Sequence, residues 1–463
     1  MKTKQSRKTF RVRQEEMLNR LRQDILEGVR KPGEFLPSEK DLSDRFALSN
    51  KIVRDVLAEL AAEGWIEKKP RIGSVVLRRS EPERIVVKLG HHGSTERETA
   101  LKTLLAGFEA AYPHIRVQDI TLPGHDPAAL APYLAHGLID VLTLNDAELR
   151  AFAERGNADG LLSLAKDPEC YPFLNEAMTS DGNLLARPFT FSPTILCYNR
   201  AHFRERELWE PDSGWGWDEL LAAADRLTVP EERAGFHFSA AQRNRIAVFL
   251  LQNGAKAERD AEGRLRLRGT RMLAGIRRYK EIVTDRMAPL MSERDAGFSI
   301  EELFAQGKLS MMLTTYYGLN ALRQTDIDYD IAPLPRLADP VTLVIAIGLA
   351  VNRHSPRAAE ARLLAEYLTG PAAQAIIRRD TLTLPAARGA IDEAGVDGSG
   401  DVASRPSRFG MYREIIPTYR FGDALGLEER EWNRLLPEVM LYLSGLQSEE
   451  AFCDKVEAEG RFS

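Results

Sequence analysis

A chain of 463 residues, 44% of them hydrophobic and 28% charged, exceeds what one compact core supports, so two or three domains are expected. The formal net charge of −5 conceals a split: residues 1–80 carry 19 Lys and Arg against 12 Asp and Glu, and the remainder carries 44 against 56. A basic head suits contact with phosphate, while the odd, scattered set Cys170, Cys197 and Cys453 offers neither a disulfide framework nor metal spacing.

The N-terminal stretch MKTKQSRKTFRVRQEEM is basic but lacks an apolar core, so no secretory signal is expected. The longest apolar run, residues 342–351, is too short to cross a bilayer and has the β-branched character of a buried strand. A cytoplasmic protein with no membrane partner is the expectation.

Over residues 12–29 the apolar Met17, Leu18, Leu21, Ile25 and Leu26 recur at helical spacing, with Gly28 near the end. Lys31-Pro32-Gly33 forms a turn. Ser38 then opens a second helix, with Asp41 at capping-box spacing and Leu42 and Phe46 on the inner face. Ser49 is placed to cap a third helix, in which Ile52, Val53, Val56, Leu57 and Leu60 turn inward; Gly64 ends it. Two short helices joined this tightly resemble helix-turn-helix geometry and make the third helix the reader. Its outward Asn50, Lys51, Arg54 and Asp55 suit base edges and phosphates, because Asn pairs with adenine and Arg or Lys with guanine or phosphate. Strands at 65–69 and 74–77 flank Pro70-Arg71-Ile72-Gly73 as a hairpin wing carrying Lys68, Lys69 and Arg71. A small helical domain with solvated charges is the competing reading of this pattern.

The stretch EGVRKPGEFLPSEKDLSDRFALSNKIVRDVLAELAAEGWIEKK resembles the winged-helix domain of the GntR family. The matching features are Gly28, Pro32-Gly33, Leu36-Pro37-Ser38-Glu39, Ser49, Val53-Arg54, Leu57, Leu60 and Glu63-Gly64-Trp65. The resemblance implies that Ser38, Lys40, Ser49, Asn50, Lys51 and Arg54 hold DNA-contacting positions and that Gly73 belongs to the wing tip. It also implies a homodimer on near-palindromic, double-stranded operator DNA. The family usually has Arg where this chain has Asn50 and Gly where it has Arg71, which leaves base preference and wing shape open.

Residues 80–84 read as a short, charged, proline-containing linker between a head over 11–79 and a body over 85–463. The body alternates strand and helix patterns: strand 85–89, helix 94–111 stopped by Tyr112-Pro113, strand 115–120 and strand 140–144. Its order of motifs resembles the extracellular solute-binding proteins of ABC sugar importers, the group that includes maltose-binding proteins. LLAGFEAAYPHIRVQ, RPFTFSPTILCYNRAHF, Trp217-Asp218-Glu219-Leu220, LFAQGKLSMMLTTYYGL and EARLLAEYLTGPAAQAII carry the likeness, over roughly residues 84–390. The fold expected is therefore multidomain: a winged helix-turn-helix (α+β), then a two-lobed α/β periplasmic-binding-protein-like (type II) domain. Without a signal peptide or lipid-attachment cysteine, a sensory role for that domain fits better than transport.

In open α/β lobes a ligand sits beyond the carboxyl ends of strands. That rule nominates Gly90-His91-His92, Asn145-Asp146, Thr190-Phe191-Ser192 and Thr315-Tyr316-Tyr317. A sugar or oligosaccharide effector would use Tyr316, Tyr317 and Phe191 as plates and Asn145 and Asp146 for hydroxyls. Each has a plainer alternative. His91 and His92 read as a solvated loop, Asp146 as a helix cap, Phe191 and Trp217 as core, and His237 as a packed histidine. Tyr316 and Tyr317 would point to opposite sides of an extended chain, so one at most would face a cleft.

No catalytic residues, cofactor or metal are expected. A GntR-type head can also precede a pyridoxal-phosphate aminotransferase-like body, but neither Lys280 nor Lys308 has the setting of a Schiff-base lysine. G-x-S-x-G, Walker and zinc signatures do not occur. The expected function is a transcription regulator whose operator affinity responds to a small solute.

Overall fold

The computed structural model of the chain describes residues 7–26, 29–70, 72–77, 84–122, 127–287, 299–392 and 405–458. Tertiary contacts divide it into two compact units, Met1–Ile85 and Val86–Ser463.

In the first unit, α1 (Arg7–Leu26), α2 (Glu39–Phe46) and α3 (Asn50–Ala62) precede a hairpin of β1 (Ile66–Lys69) and β2 (Gly73–Val76). Met17, Leu21, Leu42, Val53, Val56 and Leu60, the inward set that the helical period selects, form its core with Ile66 of β1. Ser38 caps α2 reciprocally with Asp41, and Ala47 closes α2 in a left-handed conformation at φ 50°. Ser49 holds the N-cap position of α3, but its side chain makes no capping bond. The hairpin pairs antiparallel, with Lys69 opposite Gly73, and Phe35 bridges to Val75. Arg71 lies outside the described residues.

The second unit is built on a ten-stranded sheet. Its first part contains β3 (Ile85–His91), α4 (Thr95–Thr99), α5 (Leu101–Ala111), β4 (Ile115–Thr121), α6 (Pro127–Ala135), β5 (Val141–Asn145) and α7 (Asp146–Glu154). The continuous helix expected over 94–111 is broken: Ala100 sits at φ 54°, left-handed, and separates α4 from α5. Next come β6 (Ala186–Asn199), α8 (Trp217–Leu227), β7 (Ala234–His237), α9 (Arg243–Gln252), β8 (Leu309–Thr315), β9 (Tyr329–Ala332) and β10 (Thr342–Val351). The helices α10 (Ala358–Leu368), α11 (Pro371–Asp380), α12 (Glu429–Leu443) and α13 (Glu449–Glu457) follow.

The main strand order is β4-β3-β5-β10-β6-β8-β7. Two parallel pairs, β3 with β5 and β7 with β8, flank a run of three antiparallel ones, β5 with β10, β10 with β6 and β6 with β8. The central strand β6 is covered on both faces. Ile195 and Cys197 enter one hydrophobic core, and Leu196 and Tyr198 enter a second. β10 likewise sends Leu343 to the second core and Val344 to the first. Pro188, which has no N–H to donate, faces Gly348 where the β6–β10 register shifts, so the ladder interruption falls on the residue that cannot bond.

Candidate functional site

On the first unit, Asn50, Lys51 and Arg54 are exposed along α3, and Ser38 and Lys40 are exposed at the start of α2. The first turn of α3 contains no acidic residue, so its free N–H groups and Lys51 present positive potential together. Arg54 Nε pairs with Glu39 Oε2 at 2.7 Å, and Lys68 Nζ donates to the Arg54 carbonyl at 3.2 Å. The start of α2, α3 and β1 thus meet in one surface. Both partners of the Arg54–Glu39 pair are largely exposed, so the pair is worth about 1 kcal/mol or less. Lys69 and Gly73 are exposed on the hairpin.

On the second unit, a cavity of about 690 Å³ is lined by the start of α7, the end of β8, the first residues of β10, α9 and the N-terminal half of α12. Its size suits a small-molecule ligand. Asn145 ends β5 and caps α7: its side chain accepts from Glu148 N, and Glu148 Oε2 accepts from Asn145 N, each at 2.8 Å. Asp146, the expected cap, is the first residue of α7 instead. Its Oδ1 accepts from Ala346 N on β10 at 3.0 Å. The side chain is nine-tenths buried, and burial pushes its carboxyl up to about 6 against the opposing pull of that N–H.

Arg150, one turn further along α7, pairs with Asp423 at 3.1 Å, and Glu154 accepts from Glu429 N at 3.0 Å. Arg243 pairs with Glu429 at 2.6 Å and lies over the Trp432 ring, 4.6 Å from its centroid. The Trp432 indole N–H is buried and makes no hydrogen bond. Tyr317 contributes a wall: its hydroxyl meets Thr190 Oγ1 at 3.1 Å, its N–H donates to Ser192 Oγ at 3.2 Å, and burial pushes its phenol well above the ordinary value.

Of the sequence candidates, Asn145, Asp146, Thr315 and Tyr317 line the cavity. Thr190, Phe191 and Ser192 do not. β6 is enclosed by its neighbours and both cores, so Thr190 and Ser192 hold Tyr317 from behind while Phe191 packs edge-on against Tyr171 and Phe173. Tyr316 is a core residue whose hydroxyl donates to the Phe409 carbonyl at 2.9 Å. The chain turns immediately after Thr315, so strand alternation does not govern this pair.

His91 and His92 are neither cavity residues nor a solvated loop. β3 runs on through His91, and both rings are buried; His91 Nδ1 meets the His92 carbonyl at 2.8 Å, and His92 Nε2 lies 3.3 Å from Glu148 Oε2. Trp217 is core, with its N–H on Gln252. Among the described residues no group of three His, Cys, Asp or Glu is arranged to hold a metal ion.

Arg150, Arg243, Arg245 and Trp432 line the cavity and went unread in the sequence. Arg150 was within reach, since Asp146, Arg150 and Glu154 stand at i, i+4 and i+8 on one face of α7. Trp432 was not, because nothing local ties α12 to α9.

Residues 106–406 match the family described as bacterial extracellular solute-binding protein, and residues 13–76 match bacterial regulatory proteins, gntR family. An uncharacterised HTH-type transcriptional regulator of Escherichia coli, YieP, is 38% identical over 64 residues, 14% of this chain and 28% of that protein. The arabinose metabolism transcriptional repressor of Geobacillus stearothermophilus is 38% identical over 64 residues, 14% of this chain and 18% of that one. The chain therefore spans less than a third of the length of these curated relatives.

The body superposes on ABC substrate-binding protein Lmo0181 from Listeria monocytogenes in complex with cycloalternan. That match has a TM-score of 0.68 at 20% identity, over 81% of this chain and 97% of that one. Maltose-bound T. maritima MalE3 matches with a TM-score of 0.66 at 18% identity, over 81% and 98%. These likenesses establish the fold. The stretch an aminotransferase-like body would occupy is thus solute-binding in type, and that alternative has no support. Among the described residues no helix is long and apolar enough to cross a membrane. With a gntR-type helix-turn-helix region ahead of it, the chain belongs to the bacterial extracellular solute-binding protein family.

Proposed function

We propose that this protein is a transcription regulator whose affinity for operator DNA is set by a small saccharide bound in the cavity of the second unit. The observation that carries the reading is the cavity itself: about 690 Å³, walled by ionisable side chains and an aromatic ring, in a chain whose N-terminal region is gntR-type. The sugar-bound proteins that share its body fold support the choice of ligand class. In this reading Ser38, Lys40, Ser49, Asn50, Lys51, Arg54, Lys68, Lys69 and Gly73 meet duplex DNA, with Arg71 in the wing. The protein acts in the cytoplasm, as a homodimer on two half-sites.

The mechanism is linkage. The cavity wall includes Arg150–Asp423 and Glu154–Glu429, contacts that join α7 to the segment leading into α12. A ligand that favours one arrangement of these elements shifts the population toward it by its differential affinity, and operator affinity changes by the same coupling factor. The test is to select duplexes that bind the purified chain, then titrate saccharides at fixed salt and follow DNA binding by fluorescence anisotropy. The expected result is a shift in operator affinity with at least one saccharide that also raises the melting temperature. A ligand that stabilises the protein yet leaves operator affinity unchanged would defeat the coupling.

A further inference from the structure

The cavity wall has a charge imbalance that a neutral sugar leaves uncorrected. Among the described lining residues, seven carboxylates stand against four guanidiniums. The guanidiniums have other engagements: Arg150 pairs with Asp423, Arg243 with Glu429 and the Trp432 face, and Arg245 donates to the Leu313 carbonyl at 3.3 Å. Arg97 is exposed on α4 at the edge of the cavity.

Asp146 is the sharpest point of this imbalance. It is nine-tenths buried, and the groups that serve its carboxylate are backbone N–H groups, from Ala346 and from its own residue. No Lys, Arg or His among the described residues lies within ion-pair distance of it; the cation that acts on it, Arg150, is paired elsewhere. A buried carboxylate without a paired cation is costly, and a ligand cation arriving there relieves that cost, whereas a hydroxyl relieves only the hydrogen-bonding part.

We propose that the ligand is an amino-saccharide, a sugar bearing a protonated amine that docks on the Asp146 carboxylate. The inference rests on the reading of the cavity as a saccharide site and adds the chemical class. Tyr317, with its hydroxyl already engaged by Thr190, supplies shape rather than charge.

The test compares matched probes by isothermal titration calorimetry on the full chain at neutral pH and constant ionic strength. The probes are glucose, glucosamine and N-acetylglucosamine, with the β-1,4 dimers cellobiose, chitosan dimer and chitobiose. The expected result is that the free amine binds about tenfold or more tightly than both its hydroxyl and its acetamido counterpart, the margin of a charge-assisted bond over a neutral one. In Asp146→Asn, which keeps the volume and the acceptor for Ala346 N–H, that ratio falls to about threefold or less. The ranking in the unmodified protein decides the matter even if the variant folds poorly. Equal or tighter binding of the neutral forms overturns the amine assignment and leaves the saccharide reading standing. If the amine preference survives Asp146→Asn, the assignment to this carboxylate is overturned. Binding of none of the six overturns both readings.

Discussion

Replacing Asp146 by Asn should stabilise the ligand-free protein, by an amount that depends on pH. The carboxyl is raised from 3.8 to about 6, with burial the largest cause, opposed by Ala346 N–H and the Arg150 charge and reinforced by Glu148. The folded state then binds more protons than the unfolded one between those two values, so stability falls as pH rises through that window. Each tenfold change in proton affinity is worth about 1.4 kcal/mol, so the ionised carboxylate destabilises the fold by about 3 kcal/mol at pH about 7.5. At pH about 5 roughly half of that remains, and at pH about 4 and below little does. Asn keeps the acceptor and removes the charge, so it should raise the melting temperature of the second unit by about 5 °C at pH 7.5 and by about half as much at pH 5. Differential scanning calorimetry of both proteins at the two pH values measures this. A variant less stable than the parent at pH 7.5, or a gain that does not shrink at pH 5, would refute the electrostatic account of this site. The outcome bears on function, because a group that weakens the empty protein and is relieved by ligand links binding to stability.

Lys51→Ala should weaken binding to duplex DNA and reduce the salt slope of log affinity by about 0.9, one phosphate contact; an unchanged slope in anisotropy titrations would remove Lys51 from the interface. Arg243→Ala should uncover the Trp432 ring and cost about 1 kcal/mol of cation–π and ion-pair stabilisation, read as increased iodide quenching that disappears when Trp432→Phe is added. Gly235→Ala should lose about 3 kcal/mol or more, because a Cβ there would stand 1.9 Å from the Ala224 carbonyl oxygen on α8; a soluble variant with the parent melting temperature would contradict the close approach of β7 to that helix. Ala100→Gly should gain about 1 kcal/mol, since φ 54° strains an L-residue; chemical denaturation of the two proteins measures the difference.

Much of this molecule could be read from local signals. The capping box of Ser38 and Asp41, the inward period from Val53 to Leu60 and the hairpin after Gly64 depend on neighbours a few residues away, so the first unit was legible almost element by element. The junction of β5 and α7 was legible for the same reason, because Asn145 with Glu148 is a cap in sequence as well as in space. The break at Ala100 was not, as an alanine between two apolar helical stretches carries no signal for a left-handed residue.

Which of the candidate ligand residues reach the cavity was decided by tertiary structure. Periodicity tells which residues share a face, but not what covers that face. On β6 both faces are covered, so Thr190, Phe191 and Ser192, expected from the sequence near a crossover between lobes, are interior. Tyr316 and Tyr317 were separated by a turn that sequence alternation could not foresee. The meeting of Arg243 with Trp432, and of Asp146 with Ala346, joins residues about two hundred positions apart. Local chemistry in the sequence therefore fixed the caps, the turns and the amphipathic faces. The packing of both sides of one central sheet determined which charges were enclosed together, because burial and charge pairing depend on neighbours that only the folded chain brings near.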